Sequence, residues 1–550
     1  MARITGNIVD IPAKRVFPGA VVFDSGRIVS IQESDDVPEG SPYIMPGFVD
    51  SHVHIESTLL TPRHFAPLSL SHGVTSVVTD PHEIANVLGV RGVEFMLEDA
   101  SGCHFNFHFG APSCVPSTPF ETSGATLSSS DVRQLLSRDD IYGLCEMMNV
   151  PGLMSGDPEV LAKLGACTDA GKVADGHMPG ASAEAVDECV LHGISTDHEC
   201  SDIQDARFKL SRGVRILIRE GSAACNYDSL CPLLAEDRWQ DMLMFCTDDK
   251  YVNELKEGYI DALVRESVRR GFPLWNILKA ACVNPVLHYG LNDGLLRPGD
   301  KADFIVVDSL TDFNVLEAYV DGVKASFDAS ATASEGESTA PPNNFNALEL
   351  SPEDLRVEPQ GRNIRLITAS DGSLLTGCAV EAPLVVDGNV VSDPARDILK
   401  IIVNNRYEPA QKPAIGFIRG FALKKGAIAC SIGHDSHNVT AIGVSDEQIA
   451  RVVNAVVASK GGMAVSDADG VATLPLEVAG LMSSLPGEEV AAKFEVLLRK
   501  ARQIGCPFNA PFMTMAFMSL PVIPDLKITD KGLFDVLTFS FSPIFASDNP

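Results

Sequence analysis

From Phe48 to Asp248 the chain alternates, eight times, between a short apolar run of strand length and a longer stretch of helical period. The runs are GFVDSHVH, VTSVVTD, HFNFHFG, IYGLCEMM, KVADGH, GISTDH, VRILIRE and MLMFCTD. Between them lie amphipathic segments such as 83–100, 158–170 and 181–192. Such alternation demands parallel strands with helical crossovers, because a chain re-enters a sheet in parallel only after crossing back. Eight units in roughly 250 residues is the size of a (β/α)8, TIM-like barrel, and an α/β fold of that kind is expected. A doubly wound sheet would carry a Gly-rich phosphate turn after an early strand, and none is visible.

The flanks read differently. Residues 1–46 run in short alternating pieces, GNIVDI and AVVFDSGRIVSI, with Gly and Asp at the turns of small antiparallel strands. GLLRPGDKADFIVVD, after the barrel, is strand-like again. It is expected to return and complete a small β-sandwich domain built from 1–46 and 294–326, around a barrel over 47–293. DASATASEGESTAPPNN is poor in apolar residues and marks a linker over 327–345. Residues 346–550 form a C-terminal α+β domain with strands such as KIIVNN and GAIACSI and helices at 446–459 and 488–503. A chain of 550 residues is long enough for two to four domains.

In a barrel of this kind the reactive side chains stand at the C-terminal ends of the strands. Strand one ends in MPGFVDSHVHIEST, where His52 and His54 are two residues apart and share a face. Strand four carries Glu146, strand five ends in His177, strand six in His198 and strand eight in Asp248. Taken singly, each has an ordinary explanation. A buried histidine is commonly a hydrogen-bonded structural residue, Glu146 could face an arginine, and Asp248-Asp249 could cap a helix. Six ligand-type residues at the functional ends of converging strands outweigh those explanations. Four imidazoles and two carboxylates exceed the needs of one tetrahedral ion and suit two divalent metals sharing a bridging carboxylate. Nitrogen and oxygen donors without thiolate accept Zn, Mn or Fe.

Composition then excludes partners. Acidic residues outnumber basic ones 73 to 43, a net charge of −30, which argues against nucleic acid or an anionic membrane as a partner. Thirteen cysteines are scattered without paired spacing or a CxxC motif, the usage of a reducing compartment. The N-terminus lacks the apolar core of a signal peptide and no run reaches the length of a membrane span, so a cytoplasmic protein is expected.

The motif PGFVDSHVH, the strand-four carboxylate, the histidines of strands five and six, the strand-eight Asp and the late RPGDKADFIVVD together resemble the amidohydrolase superfamily. Within it, HVHIEST, VTDPHEIANVLG, DGHMPG, STDHECSD and FCTDDK are similar to the bacterial-type adenine deaminases, and GHDSHN and LPLEVAGLMSS extend the similarity past the barrel. The stretch before the barrel is short for that family, which implies a trimmed β domain. Binuclear relatives such as dihydroorotase bridge their metals with a carboxylated lysine on strand four. Here LCEMMNV offers Glu146 instead.

The resemblance implies hydrolytic deamination of adenine to hypoxanthine and ammonia in purine salvage. It also implies two Mn or Fe ions, with Zn an alternative, and a homo-oligomer, a dimer or larger. Asp248 becomes the candidate to move a proton from the nucleophile to the leaving amine. Glu83 or Glu199 becomes the acid that protonates ring N1. His82 would orient substrate or polarise the nucleophile. Glu83 also opens a helix, where a carboxylate is favoured without catalysis, and HEIAN lacks the second histidine of a zinc helix. His434, Asp435, His437 and Asn438 in CSIGHDSHNV read alone as a polar turn. With the resemblance they become a loop over the barrel mouth that contacts substrate. Two other readings compete: a binuclear amidohydrolase for another aminopurine or a cyclic amide, and a non-catalytic scaffold, which would be expected to have lost a ligand.

Overall fold

The computed structural model describes residues 1–327, 341–409 and 411–546. β1 (Ala2–Asp10), β2 (Arg15–Asp24) and β3 (Arg27–Glu33) form an antiparallel meander, and β4 (Tyr43–Pro46) lies parallel to β1. The eight apolar runs then form eight parallel strands. They are β5 (Phe48–Val53), β6 (Val74–Thr79), β7 (Asn106–Ala111), β8 (Ile141–Met147), β9 (Val173–Gly176), β10 (Thr196–Asp197), β11 (Arg215–Arg219) and β12 (Leu243–Cys246). β5 to β9 make one parallel arc and β10 to β12 another. Parallel bridges between Ala174 and Ile194 and between Val53 and Asp248 join the arcs into a closed barrel.

The crossover helices include Pro62–Ser71, Val90–Ala100, Ser129–Leu136, Pro158–Asp169, Ala183–Leu191 and Ile203–Ser211. Their starts are written locally. Asp157 accepts from the backbone of Glu159 and Val160, with Pro158 at the first helical position, and Asp202 accepts from Gln204 and Asp205. Each helix turns an apolar stripe inward, as Val132, Leu135 and Leu136 do.

After the barrel, β13 (Phe304–Val307), β14 (Val315–Val320) and β15 (Val323–Lys324) add to the first meander. The result is one seven-stranded sheet, order β15-β14-β13-β4-β1-β2-β3, with β13 antiparallel to β4. Period-two alternation gives it two apolar faces. Phe304 and Val306 pack with Ile8, Val21 and Phe23, whereas Ile305 and Val307 join the barrel core. Both flanks of the barrel thus contribute strands to this one sheet.

The linker expected over 327–345 lies mostly outside the described residues. Beyond it is an eight-stranded sheet, in spatial order Gly377–Glu381, Ile364–Thr368, Ala414–Arg419, Leu399–Asn404, Val439–Gly443, Ala427–Cys430, Gly462–Ser466 and Val471–Pro475. The helix Asp446–Ala458 covers one face through Ile449, Val452, Val453 and Val456. A smaller hairpin, Leu526–Thr529 with Gly532–Asp535, carries Phe534. The apolar core runs without a break from Phe48, Phe65 and Tyr251 of the barrel to Phe494, Phe512 and Met518 of this C-terminal part. Among the described residues no helix is long and apolar enough to cross a membrane.

Candidate metal centre

Parallel strands that end together place their terminal side chains around one mouth. All six residues read as ligands meet there. His52 and His54 leave the end of β5, and the His54 ring is oriented by Nδ1, which lies 3.0 Å from the Asp80 carbonyl. Its Nε2 thereby faces inward, 3.4 Å from Glu146 Oε1 and 3.1 Å from Asp248 Oδ1. His52 Nε2 lies 3.9 Å and 3.3 Å from the same two oxygens and has no hydrogen-bond partner. The other carboxylate oxygen of Glu146 faces the opposite way, with His177 Nδ1 at 2.8 Å and His198 Nε2 at 3.3 Å.

Glu146 thus divides its oxygens between two groups of donors: His52, His54 and Asp248 on one side, His177 and His198 on the other. Burial alone would raise its pKa, but the imidazoles of His177, His198 and His54 outweigh burial and hold it well below the usual carboxylate range. A convergence of lone pairs, with a buried orphan nitrogen among them, is costly without a cation to share. The donor set fits divalent metal binding.

Asp248 is fixed by the barrel's closure. It lies in the left-handed region with φ of 57°, its N–H donates to the His52 carbonyl at 2.9 Å, and its own carbonyl accepts from His54 N–H at 3.2 Å. Its Oδ2 accepts from Arg219 Nη1 at 2.6 Å. That guanidinium also holds Glu199 Oε1 at 2.5 Å. Arg219 ends β11 and is buried between the two carboxylates. Reading strand ends for metal ligands passed over it, although its position at the end of VRILIRE was the available signal.

The two candidate acids differ in their partners. Burial would raise Glu199, but Arg219 beside it, and then His177, lower it. Arg219 does not give up its proton, and the imidazoles nearest Glu199 Oε1, His177 at 3.7 Å and His198 at 3.5 Å, are turned toward Glu146 as well. Burial would likewise raise Glu83, and His434, His437 and His82 together hold it well down. Those partners are imidazoles, which can pass a proton on. His434 Nδ1 is 3.0 Å from Glu83 Oε1 and His82 Nε2 is 3.4 Å from it. His82 is oriented by Asp80, 3.0 Å from its Nδ1, and that nitrogen is 3.6 Å from Glu146.

The C-terminal part roofs the mouth. His434, Asp435, Leu374, Phe517, Leu520 and Ile523 close a chamber of about 30 Å³ above Glu146, His177, His198 and Asp248. The His434 ring stacks on Phe517, centroids 4.4 Å apart and planes 6° from parallel. The other two residues of the turn do not reach the chamber. Asn438 is consumed by structure: its Oδ1 accepts from Arg406 N–H at 3.0 Å and its Nδ2 donates to the Thr122 carbonyl at 2.9 Å. His437 lies behind Glu83. A turn sends successive side chains in different directions, so GHDSHN does not act as a block. Leu374, Phe517, Leu520 and Ile523 carried no sequence signal, since they are ordinary apolar residues far from any motif.

The amidohydrolase family matches residues 43–223 and 233–332, and the adenine deaminase C-terminal domain matches 373–540. The chain is 46% identical to an adenine deaminase of Methanosarcina mazei over the full length of both. It is 49% identical to one of Salinibacter ruber, over 98% of each chain. An adenine deaminase of Borreliella afzelii is 41% identical, over 98% of this chain and 99% of that one.

Proposed function

We propose that this chain, which belongs to the adenine deaminase family of the amidohydrolases, hydrolyses adenine to hypoxanthine and ammonia with a binuclear metal centre. The observation that carries the binuclear reading is the division of Glu146, one oxygen toward His52 and His54 and the other toward His177 and His198. In this reading His52, His54, His177, His198, Glu146 and Asp248 hold two divalent ions, Mn or Fe by family association, with Zn compatible. Such ions lower the pKa of water, to about 7 in favourable sites, and so supply a nucleophile at neutral pH.

The remaining work belongs to the chain's own groups. Asp248, with Oδ2 tied to Arg219, turns Oδ1 toward His52 and His54, where it would both help hold an ion and take a proton as water adds at C6, returning it to the departing amine. Glu83, held ionised by its imidazole neighbours, relays a proton from His434 to N1, so that negative charge does not build on the ring. Glu199 is assigned to holding Arg219, not to acid catalysis. His82 supports Glu83 and Glu146 from the side, and Asp435 and His434 meet the purine. The apolar roof excludes bulk water, which strengthens the charge interactions inside. The approach is the cleft of about 550 Å³ that shares Met148 and His177 with the chamber. The domain division at 1–46 with 294–326, 47–293 and 346–550 assigns ligands to the barrel and the roof to the C-terminal part. A cytoplasmic homo-oligomer is part of the same reading.

The test is ammonia release by the purified protein, as expressed, from adenine, adenosine, guanine and cytosine, with dihydroorotate ring opening followed in parallel. Release from adenine alone is expected. Turnover of another aminopurine or of dihydroorotate in its place would move the substrate assignment, and turnover of none would favour a scaffold.

A further inference from the structure

Glu83 is held by two parts of the chain that meet only in the folded protein. Its own helix, His82–Leu88, brings it to the mouth, and the turn after the strand Ala427–Cys430 meets it from the opposite side. Within that turn His434 lines the chamber, whereas His437 does not. His437 Nε2 lies 2.5 Å from Glu83 Oε2, and both residues are buried to 2% exposure. The contact is off the line of an ideal hydrogen bond. It therefore restrains Glu83 by close approach.

His437 is itself immobilised. Its backbone lies at φ of 59°, its N–H donates to the Gly433 carbonyl at 2.6 Å, and its carbonyl accepts from Arg406 Nη1 at 3.3 Å. Arg406 is wholly buried and has neutral acceptors in Ala479 O at 2.6 Å, Asn343 Oδ1 at 3.0 Å and Asn344 O at 3.3 Å. The guanidinium fits because position 480 is glycine: a Cβ there would stand 2.7 Å from Nη1. A buried cation with a fixed geometry thus sets the turn, the turn sets His437, and His437 abuts the carboxyl that faces the substrate.

We propose that His437 is a positioning residue for the deamination: it fixes the Glu83 carboxyl in its orientation toward ring N1 and never touches the purine. The inference rests on the assignment of Glu83 as the acid and adds the device that aims it. It also gives the C-terminal part a role in the chemical step beyond covering the site. A carboxyl that swings away from its target by an ångström loses about a hundredfold in rate.

The experiment uses the full chain with its metals and four variants: His437→Ala, His437→Gln, Glu83→Gln and the double variant Glu83→Gln/His437→Gln. Metal content and thermal midpoint are measured beside kcat and KM. His437→Ala is expected to lower kcat by about ten- to a hundredfold with KM and metal content unchanged. His437→Gln, which can still hydrogen-bond, should recover part of that loss. In the Glu83→Gln background the second substitution should cost nothing further, since it acts through a group already removed. A rise in KM at constant kcat would show that His437 contacts substrate and would overturn the proposal. So would an equal loss of kcat in both backgrounds. Unchanged kcat per bound metal in a variant of lowered midpoint would make His437 merely structural and overturn it too. Full activity in Glu83→Gln is a separate result, because it removes the acid assignment itself.

Discussion

The ammonium of Lys527 sits beneath the roof of the chamber, where Nζ donates to the Leu374 carbonyl at 2.9 Å and the Phe517 carbonyl at 3.0 Å. Burial pushes its pKa down to about 7, with Asp525 opposing only in part. In the unfolded chain the amine holds its proton up to about pH 10.5. Between those values the unfolded state binds one more proton, so this residue's contribution to stability rises with pH and is flat below 7. Thiols exposed on unfolding titrate in the same range, so the measurement is a difference. Against Lys527→Met, the wild-type protein should gain about 1.4 kcal/mol per pH unit between pH 7.5 and 9.5 in denaturant unfolding. A flat difference would mean that the amine stays charged in the fold. At this scale the sequence disclosed what obeys a positional rule. That His52, His54, Glu146, His177, His198 and Asp248 gather at one mouth was legible because strand ends converge. Arg219 obeyed the same rule and was missed because the rule was applied to metal ligands alone. That His434 and Asp435 line the chamber while His437 and Asn438 do not was not legible, because spacing within a turn does not reveal which way each side chain faces.

The segment between β7 and the helix Ser129–Leu136 is the element that ties barrel to roof. Phe120 enters a ring of Phe534, Phe539 and Phe541, with centroids at 4.7, 5.1 and 6.1 Å. Thr122 N–H donates to Asp530 at 2.9 Å and Thr529 Oγ1 donates to the Phe120 carbonyl at 3.0 Å. Aromatic pairs of this kind contribute about 0.5–1.5 kcal/mol each beyond the area they bury. Phe120→Ala should lower stability by about 2 kcal/mol, and loosening of the roof should reduce kcat/KM while bound metal stays constant. Loss of metal in step with activity would show that the segment supports the ligands instead. The barrel strands were legible because run length, apolar content and crossover period all agree; even β10, only two residues long, was found from its flanks. The order of the C-terminal sheet was not legible. It is mostly antiparallel with distant partners, and alternation within a strand does not identify its neighbour.

On the scale of the molecule, six donor side chains from β5, β8, β9, β10 and β12 are drawn into one buried cluster in a chain of net charge −30. Ions bound there stabilise the folded state by mass action, about 4 kcal/mol per site when free metal exceeds its Kd a thousandfold. Chelation should therefore abolish deamination and lower the thermal midpoint together, and reloading with manganese should restore both. A midpoint indifferent to chelation would argue against the cluster as a tight binding site. The seam of the barrel sharpens this dependence. Val53 and Asp248, which close the ring of strands, also bring Asp248 against His52 and His54. On the ribosome the first strand emerges long before the eighth, and Phe517 of the roof later still. A nascent chain therefore holds neither a complete ligand set nor a covered site. Its chemistry stays silent through synthesis and begins only when the ring is shut and capped.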